Sequence, residues 1–330
     1  MKYGFLILTI SALLISRVAQ AEPLLNASYD VARDFYRQFN PAFTAYWKQK
    51  TGTDIIVQQS HGGSSKQARA VIDGLDADVL TTNNPLDIDA VAAAGLVGKD
   101  WARRFAHHAS PSWSTILFLV RKGNPKHIHD WNDLTRADVR VIMPNPKTSG
   151  NGRYSYLAAW QYALTLPGGD DATARHFVAA LLHNVPVFDT GGRGATTTFV
   201  QRGVGDVLLT FENELFLIRK EFGDQGFEIV APSISIRADN PVAVVDKVAT
   251  EKGNTTLARA YLEYHYSHTG QELLAANGLR PADETVLAEH AAEFPKLRLF
   301  SIDDWPKTYA KHFADGGVLD QLMTTEAAGS

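Results

Sequence analysis

The sequence of 330 residues contains no cysteine. This absence excludes disulfide bonds, thiolate metal sites, iron–sulfur clusters, cysteine nucleophiles and any lipid anchor attached through a cysteine. Methionine is also scarce, with three residues in the whole chain. Because no covalent cross-link is available, the fold must be stabilised by packing of the hydrophobic residues, which make up 45% of the chain. The composition predicts an ordinary globular protein.

Two further features are missing: an excess of basic residues and an apolar run long enough to cross a membrane. The 32 Lys and Arg residues are outnumbered by 36 Asp and Glu residues, and the net charge of −4 argues against nucleic-acid binding. The apolar run near the N-terminus, Gly4 to Ile15, is shorter than the roughly 20 residues of a transmembrane helix. A membrane anchor is therefore the less favoured alternative for this run.

The first 21 residues have the pattern of a secretory signal peptide. Lys2 provides the positive start, the apolar run follows, and Ala19-Gln20-Ala21 is a small-x-small cleavage site. We expect cleavage after Ala21, which removes Lys2 and Arg17. The remaining 309 residues then carry 30 basic and 36 acidic side chains, a net charge of −6.

Along the rest of the chain, short apolar runs alternate with segments of helical periodicity. This alternation is typical of α/β architecture with largely parallel sheets. Single cores stop growing near roughly 250–300 residues, so two lobes are expected. We predict that residues 22–112 and 240–330 form the first lobe and residues 113–239 the second, with strand crossings near residues 111–114 and 233–240.

Three segments combine a predicted strand, a turn rich in Gly, Ser and Thr, and a helix start. We call them the first loop (residues 59–67), the second loop (145–153) and the third loop (189–198). Small residues let the backbone approach a ligand closely, and the first turn of a helix presents unpaired N–H groups with partial positive charge. One such turn is also an ordinary connection. Three at the carboxyl ends of strands favour an anion-binding site.

The loops are also free of acidic residues over 60–69, 145–153 and 190–202. Phosphate near neutral pH keeps a proton that needs an acceptor, whereas sulfate and thiosulfate only accept hydrogen bonds and are repelled by a buried carboxylate. The neutral donors are backbone N–H groups and the hydroxyls of Ser64, Ser65, Thr148 and Ser149. These donors favour an oxyanion without protons, bound with no protein acid or metal in contact with it. The adjacent cations Lys66, Arg153 and Arg193 fit solvated faces or surface pairs at least as well as ligand contacts.

The segments QSHGGSSKQ at 59–67 and PNPKTSG at 144–150 resemble the two signatures of periplasmic sulfate- and thiosulfate-binding proteins. The resemblance continues at residues 25–30, 118–131 and 312–317 and covers essentially the whole mature chain. It implies a type II periplasmic binding protein, an α/β fold whose two lobes close on an anion in the cleft between them. It further implies a monomeric receptor in the periplasm, without cofactor or metal, which delivers the anion to the permease and ATPase complex of an ABC transporter.

The resemblance also assigns the anion contacts. They fall on the N–H of Ser64, the N–H and hydroxyl of Ser149, and the N–H groups of Gly150, Asn151 and Gly192. Phe211 departs from the sulfate-binding branch, in which a tryptophan at this place donates its indole N–H to the anion; phenylalanine has no donor. Phe211 and the third loop resemble the thiosulfate-binding branch instead. We therefore expect thiosulfate as the ligand, with sulfate as a second ligand.

Two alternatives stay open from the sequence: a receptor for another tetrahedral oxyanion, and a hydrolase acting on an oxyanion ester. Ser60 and His61 would be the hydrolytic pair, but consecutive residues of an extended chain point apart, and the sequence has no G-x-S-x-G nucleophile motif. A metal site is suggested only by two histidine groups without a further ligand set, His107-His108 and His127-x-His129-Asp130. Both groups fit surface loops.

Overall fold

The computed structural model describes residues 23–223 and 226–327, so the predicted signal peptide and its cleavage after Ala21 lie outside the described residues. The strands are β1 (Leu24–Tyr29), β2 (Val57–Gly62), β3 (Val79–Thr81), β4 (Ser112–Ser114), β5 (Ile116–Arg121), β6 (Val141–Pro144), β7 (Phe188–Asp189), β8 (Val207–Phe211), β9 (Phe227–Val230), β10 (Ser235–Ile236), β11 (Ala238–Asp239), β12 (Val242–Val244), β13 (Arg280–Pro281) and β14 (Leu299–Phe300).

The helices are α1 (Arg33–Thr51), α2 (Ser64–Ile72), α3 (Pro85–Ala93), α4 (Ala106–Ala109), α5 (Gly150–Thr165), α6 (Asp171–His183), α7 (Gly192–Thr196), α8 (Glu212–Phe222), α9 (Asp246–Glu251), α10 (Thr255–Tyr264), α11 (His268–Ala275), α12 (Glu284–Glu289), α13 (Trp305–His312) and α14 (Val318–Ala327). Short 3-10 turns follow β1 at Asp30–Ala32 and precede β6 at Trp131–Thr135. Within the described part of the chain, no helix has both the length and the apolarity needed to span a bilayer.

The first lobe is built on a four-stranded sheet in the order β12-β3-β1-β2. Strand β1 is parallel to β2 and β3, and β12 is antiparallel to β3. Aromatic side chains of α1 are buried against α10, with the rings of Phe39 and Phe43 5.3 and 5.1 Å from that of Tyr261. The sequence predicts a restart or kink at Pro41, but α1 continues through it, with Phe39 and Phe43 packed on either side of the proline.

The second lobe is built on a five-stranded sheet in the order β7-β6-β8-β5-β9. Strand β6 is parallel to β7 and β8, but β5 is antiparallel to both β8 and β9. The expectation of largely parallel sheets is therefore wrong for this edge. The difference arises where the chain enters this lobe. Strand β5 follows β4 directly, and its first residue, Ile116, pairs with Phe211, the last residue of β8, so the two strands run in opposite directions.

The chain passes between the two sheets in paired strands, since β4 pairs antiparallel with both β11 and β13. The C-terminal segment differs from the expected division, which placed residues 240–330 in the first lobe. Phe313 is buried against Tyr156 of α5, with ring centroids 5.4 Å apart, and His312 Nδ1 lies 2.9 Å from the Tyr156 hydroxyl. The helices α13 and α14 therefore contribute to the core of the second lobe.

His265 is a fully buried histidine in the first-lobe core, with Nδ1 3.0 Å from the Tyr261 carbonyl oxygen and Nε2 3.3 Å from the Tyr36 hydroxyl. Burial lowers the pKa of His265 to about 3. The unfolded chain therefore binds the extra proton below about pH 6.5 and the folded chain does not, so stability falls as the pH is lowered from about 6.5 toward 3.

We expect His265→Gln to flatten this loss. Between pH 7 and pH 4, wild type should lose about 3 kcal/mol more free energy of unfolding than the variant, as measured by denaturant unfolding. Burial raises the pKa of Asp30, Glu212 and Glu214, which opposes the histidine contribution but is common to both proteins. The exposed His176→Gln is the control and should run parallel to wild type; a parallel His265→Gln curve would contradict the prediction.

Candidate functional site

The three predicted loops meet at one point between the lobes. A methyl group on Gly63, at the start of α2, would lie 2.6 Å from the carbonyl oxygens of both Thr148 and Thr190. The hydroxyl of Thr148 donates to the Thr190 carbonyl at 3.1 Å. Gly63 belongs to the first lobe and the two threonines to the second, so the lobes are in contact across the cleft at the carboxyl ends of β2, β6 and β7.

The predicted site residues are joined by a chain of contacts. Asn151 Nδ2 donates to Thr210 Oγ1 at 2.9 Å and lies 3.0 Å from the place of a methyl on Gly192. A methyl on Gly150 would overlap the side-chain amide of Asn83 from the first lobe, and the Asn83 N–H donates to Ser64 Oγ at 3.3 Å. The helix starts of α2, α5 and α7 therefore face one small region.

Ser149 and Phe211 complete the predicted set. Ser149 is the residue before α5 and is buried, but its N–H donates to the Asn145 carbonyl at 3.0 Å. In this closed arrangement the N–H of Ser149 is used within the turn, unlike the ligand contact that the resemblance implies. The hydroxyl of Ser149 is then the group available to a ligand. Phe211 is buried next to Thr210 and packs edge-on against Tyr154 of α5, with ring centroids 5.9 Å apart. The assignment of these residues to a ligand stays a prediction.

A carboxylate that the loop sequences did not indicate lies beside the third loop. Asp30 follows β1, and its Oδ2 accepts the N–H of Arg193 at 3.1 Å; a methyl on Gly191 would overlap the same oxygen. Burial raises the pKa of Asp30, and the hydrogen bond from Arg193 opposes the rise. A carboxylate therefore lies beside the loops although the loops themselves contain none, and the expectation that no protein acid contacts the anion stays a prediction. The sequence feature that could have indicated Asp30 is that β1, like the strands before the three loops, is followed directly by a helical segment.

Two of the three basic side chains beside the loops, Arg153 and Arg193, are paired with protein carboxylates. Arg153 Nη1 lies 3.0 Å from Asp87 Oδ1, and both side chains are more than nine-tenths buried. Arg193 Nη1 lies 2.8 Å from Oε1 of the buried Glu214, and burial raises the pKa of that carboxyl against the opposing effect of the arginine. Lys66 is exposed on α2. The arginine charges near the cleft are thus neutralised by carboxylates, and the partial positive charge that remains there comes from the helix starts.

Among the described residues, neither the Ser60–His61 hydrolytic pair nor a metal-ligand group is formed. Ser60 and His61 are consecutive residues of β2, so their side chains project to opposite faces, and the Ser60 hydroxyl donates to Gln67 Oε1 at 3.0 Å. Over residues 23–223 and 226–327, no three His, Asp or Glu side chains are grouped as metal ligands would be.

The sequence pattern of the family described as bacterial extracellular solute-binding proteins matches residues 29–280. The chain belongs to this family. Among its relatives, the thiosulfate-binding protein of Pseudomonas aeruginosa is 56% identical over 92% of this chain and 93% of its own. The sulfate-binding protein of Escherichia coli K12 is 52% identical over 93% of this chain and 94% of its own.

Two solved structures agree with the fold. The sulfate-binding protein SubI from Mycobacterium tuberculosis superposes with a TM-score of 0.80 at 33% identity, covering 88% of this chain and 99% of that protein. A periplasmic thiamin-binding protein, at 17% identity and a TM-score of 0.68, shares the fold. The predicted two-lobed type II periplasmic binding fold is confirmed. The chain is a solute-binding receptor, and the hydrolase alternative is wrong.

Proposed function

We propose that the mature protein binds thiosulfate, and sulfate as a second ligand, in the cleft where the three loops meet, and delivers the anion to the permease and ATPase of an ABC importer. The observation that carries this proposal is the convergence of three helix starts from two lobes at Gly63, Gly150 and Gly192. The names of the similar receptors from Pseudomonas aeruginosa and Escherichia coli support the same two anions.

Neutral donors are sufficient for this binding. A hydrogen bond to a charged group contributes roughly 1.5–3 kcal/mol net of water, so six or seven of them supply on the order of 10–20 kcal/mol. Each helix start adds roughly 0.3–2 kcal/mol. After the costs of association, about −8 kcal/mol remains within reach, which corresponds to a micromolar dissociation constant. A dianion needs no free protein cation under these conditions.

Phe211 supports the preference for thiosulfate. Its side chain is buried and apolar, and it forms part of the second lobe next to Thr210, which bonds to Asn151. An aromatic ring offers no hydrogen bond to a fourth sulfate oxygen, whereas the larger, more polarisable terminal sulfur of thiosulfate suits a contact with an aromatic ring.

The proposal places a monomeric protein in the periplasm after cleavage behind Ala21. The N-terminal pattern of Lys2, an apolar run and Ala19-Gln20-Ala21 supports export. The absence of cysteine from the whole sequence leaves no site for a lipid attached through that residue. Because donors come from both lobes, binding favours the closed arrangement, and the closed form is the one to be presented to the permease.

Titration calorimetry of the purified mature protein tests the proposal. We expect micromolar binding of thiosulfate and sulfate, with thiosulfate the tighter, and no heat with phosphate at the same concentrations. Binding of phosphate in preference to both sulfur anions, or binding of none of the three, would overturn it.

The hydroxyl of Ser149 gives a sharper test of where the anion sits. Ser149→Ala should weaken thiosulfate and sulfate binding by about 1–3 kcal/mol, or roughly 5- to 150-fold, because a donor to a charged ligand is lost. The melting temperature of the unliganded protein should stay within a few degrees of wild type. Ser110→Ala, a buried serine before β4, is the control and should bind as wild type. An unchanged affinity of Ser149→Ala would remove this residue from the site.

A further inference from the structure

We propose that the side-chain amide of Asn83 is a further ligand contact, which donates a hydrogen bond to the bound anion. This inference rests on the proposed function, because it adds a residue to the same site. It concerns a segment with no glycine-rich pattern, the turn after β3.

The topology places this turn at the edge of the sheet where the site lies. In the first lobe, β3 is adjacent and parallel to β1, and β1 is parallel to β2. Their carboxyl ends therefore meet at one edge, with Asp30 after β1, Ser64 after β2 and Asn83 after β3. Open α/β sheets bind ligands at this edge, so Asn83 occupies the third of three equivalent positions.

Asn83 also spans the cleft between two helix starts. Its N–H donates to the hydroxyl of Ser64 at the start of α2, and its amide oxygen overlaps the place of a methyl on Gly150 at the start of α5. These helices have 9 and 16 residues. The side chain is thus held from the first lobe against the helix start of the second lobe at which an anion is expected.

Within the described chain, the amide oxygen of this side chain has no hydrogen-bond partner in the closed protein. Asn83 is 2% exposed, and this oxygen is buried. Buried polar atoms of this kind are rare in native proteins because leaving them unpaired costs as much as a lost hydrogen bond. An anion at the start of α5 cannot donate to this oxygen, but it would accept from the amide NH₂ once the side chain is turned by 180°.

The neighbouring residue fixes the turn. Asn84 Oδ1 accepts the N–H of Leu86 at 3.0 Å and caps α3, and the Thr82 hydroxyl donates to the Asn84 carbonyl at 3.1 Å. Asn83 is therefore presented by a rigid turn, while its own amide group is free to turn by 180° and exchange nitrogen for oxygen. A dianion beside it selects the NH₂ end, which donates.

Two variants separate this role from a structural one. Asn83→Ala removes the donor and should weaken thiosulfate and sulfate binding by about 10-fold or more. Asn83→Asp keeps the shape but places a negative charge against the dianion, so it should weaken binding more than alanine, by at least about 100-fold. If Asn83 only filled space, the isosteric aspartate would be the milder change.

The measurement is titration calorimetry with thiosulfate, sulfate and phosphate, together with thermal unfolding without ligand. Asn132→Asp adds the same charge at an exposed position and should bind as wild type. Affinity in Asn83→Ala equal to wild type, or a smaller loss in Asn83→Asp than in Asn83→Ala, would overturn the role of Asn83 while the proposed function stands. A wild-type protein that binds neither sulfur anion would overturn both.

Discussion

Replacing Gly63 by alanine is expected to weaken anion binding by about 100-fold while the unliganded protein stays folded. The added methyl would lie 2.6 Å from two backbone carbonyl oxygens, those of Thr148 and Thr190, both on the opposite lobe. Such a separation is well inside van der Waals contact, and neither oxygen is the end of a flexible side chain. Overpacking of this kind costs typically 1–3 kcal/mol, and here the cost arises only when the lobes close.

The fold itself should tolerate the change. Gly63 has φ −53° and ψ 137°, values that alanine adopts without strain. When the lobes separate, the methyl group faces the cleft, and we expect the melting temperature without ligand to match wild type within a few degrees. Calorimetry gives the affinity, and small-angle scattering with saturating thiosulfate reports whether the variant still closes.

Gly62→Ala is the matched control, one residue earlier in the same loop. Its methyl would meet Gln67 Nε2 at 2.7 Å, the end of a side chain that can move away, and no backbone of the other lobe. We expect little change in affinity for this variant. If Gly63→Ala bound thiosulfate as tightly as Gly62→Ala, the close approach of the three loops would not be part of the bound state.

The sequence predicts the helix starts of the site better than its surroundings. The three loops follow a local rule, because small residues between a strand and a helix expose backbone N–H groups wherever they occur. The local sequence does not indicate that Asp30, Asn83 and Asp87 lie beside the three loops, because each has an ordinary sequence context. They reach the cleft only through the pairing of β1 and β3 and the packing of α3, which connect residues far apart in the chain.

Strand boundaries show the same limit. The apolar residues at 55–57 predict a strand there, but β2 runs over Val57–Gly62 and contains Gln59, whose amide donates to the Tyr261 hydroxyl at 3.1 Å. Six residues of β2 pair with the whole of β1, so backbone pairing rather than apolar composition decides where the strand lies. The C-terminal helices are a second case, because the amphipathic pattern of α13 gives no indication of which lobe will bury it.

The ion pair between Arg153 and Asp87 is expected to have the largest effect on closure. Arg153 lies on α5 in the second lobe and Asp87 on α3 in the first, with 3.0 Å between Nη1 and Oδ1 and with 8% and 4% of their side chains exposed. Arg153 Nε also donates to the Pro146 carbonyl at 3.2 Å, which ties it to the second loop. The pair therefore joins the two lobes beside the site.

Arg153→Ala leaves the carboxylate of Asp87 buried without a counter-ion whenever the lobes are closed. Removing one partner of a buried pair costs about 3–5 kcal/mol, because the remaining charge is neither hydrated nor neutralised. When the lobes separate, water reaches Asp87 and the cost disappears. We therefore expect thiosulfate affinity to fall by more than about 100-fold in calorimetry, with little change in the unfolding transition of the unliganded protein.

A double-mutant cycle assigns this effect to the pair. Asp87→Asn in the Arg153→Ala background removes the unpaired charge, so the double variant should bind more tightly than Arg153→Ala alone, with a coupling energy of at least about 1 kcal/mol. The control is Arg69→Ala, which breaks an exposed ion pair between Arg69 of α2 and Asp73. This variant should leave the affinity unchanged. If Arg153→Ala instead lowered the unliganded melting temperature and kept the affinity, the pair would stabilise the fold equally in open and closed forms, and closure would depend on the loop contacts alone.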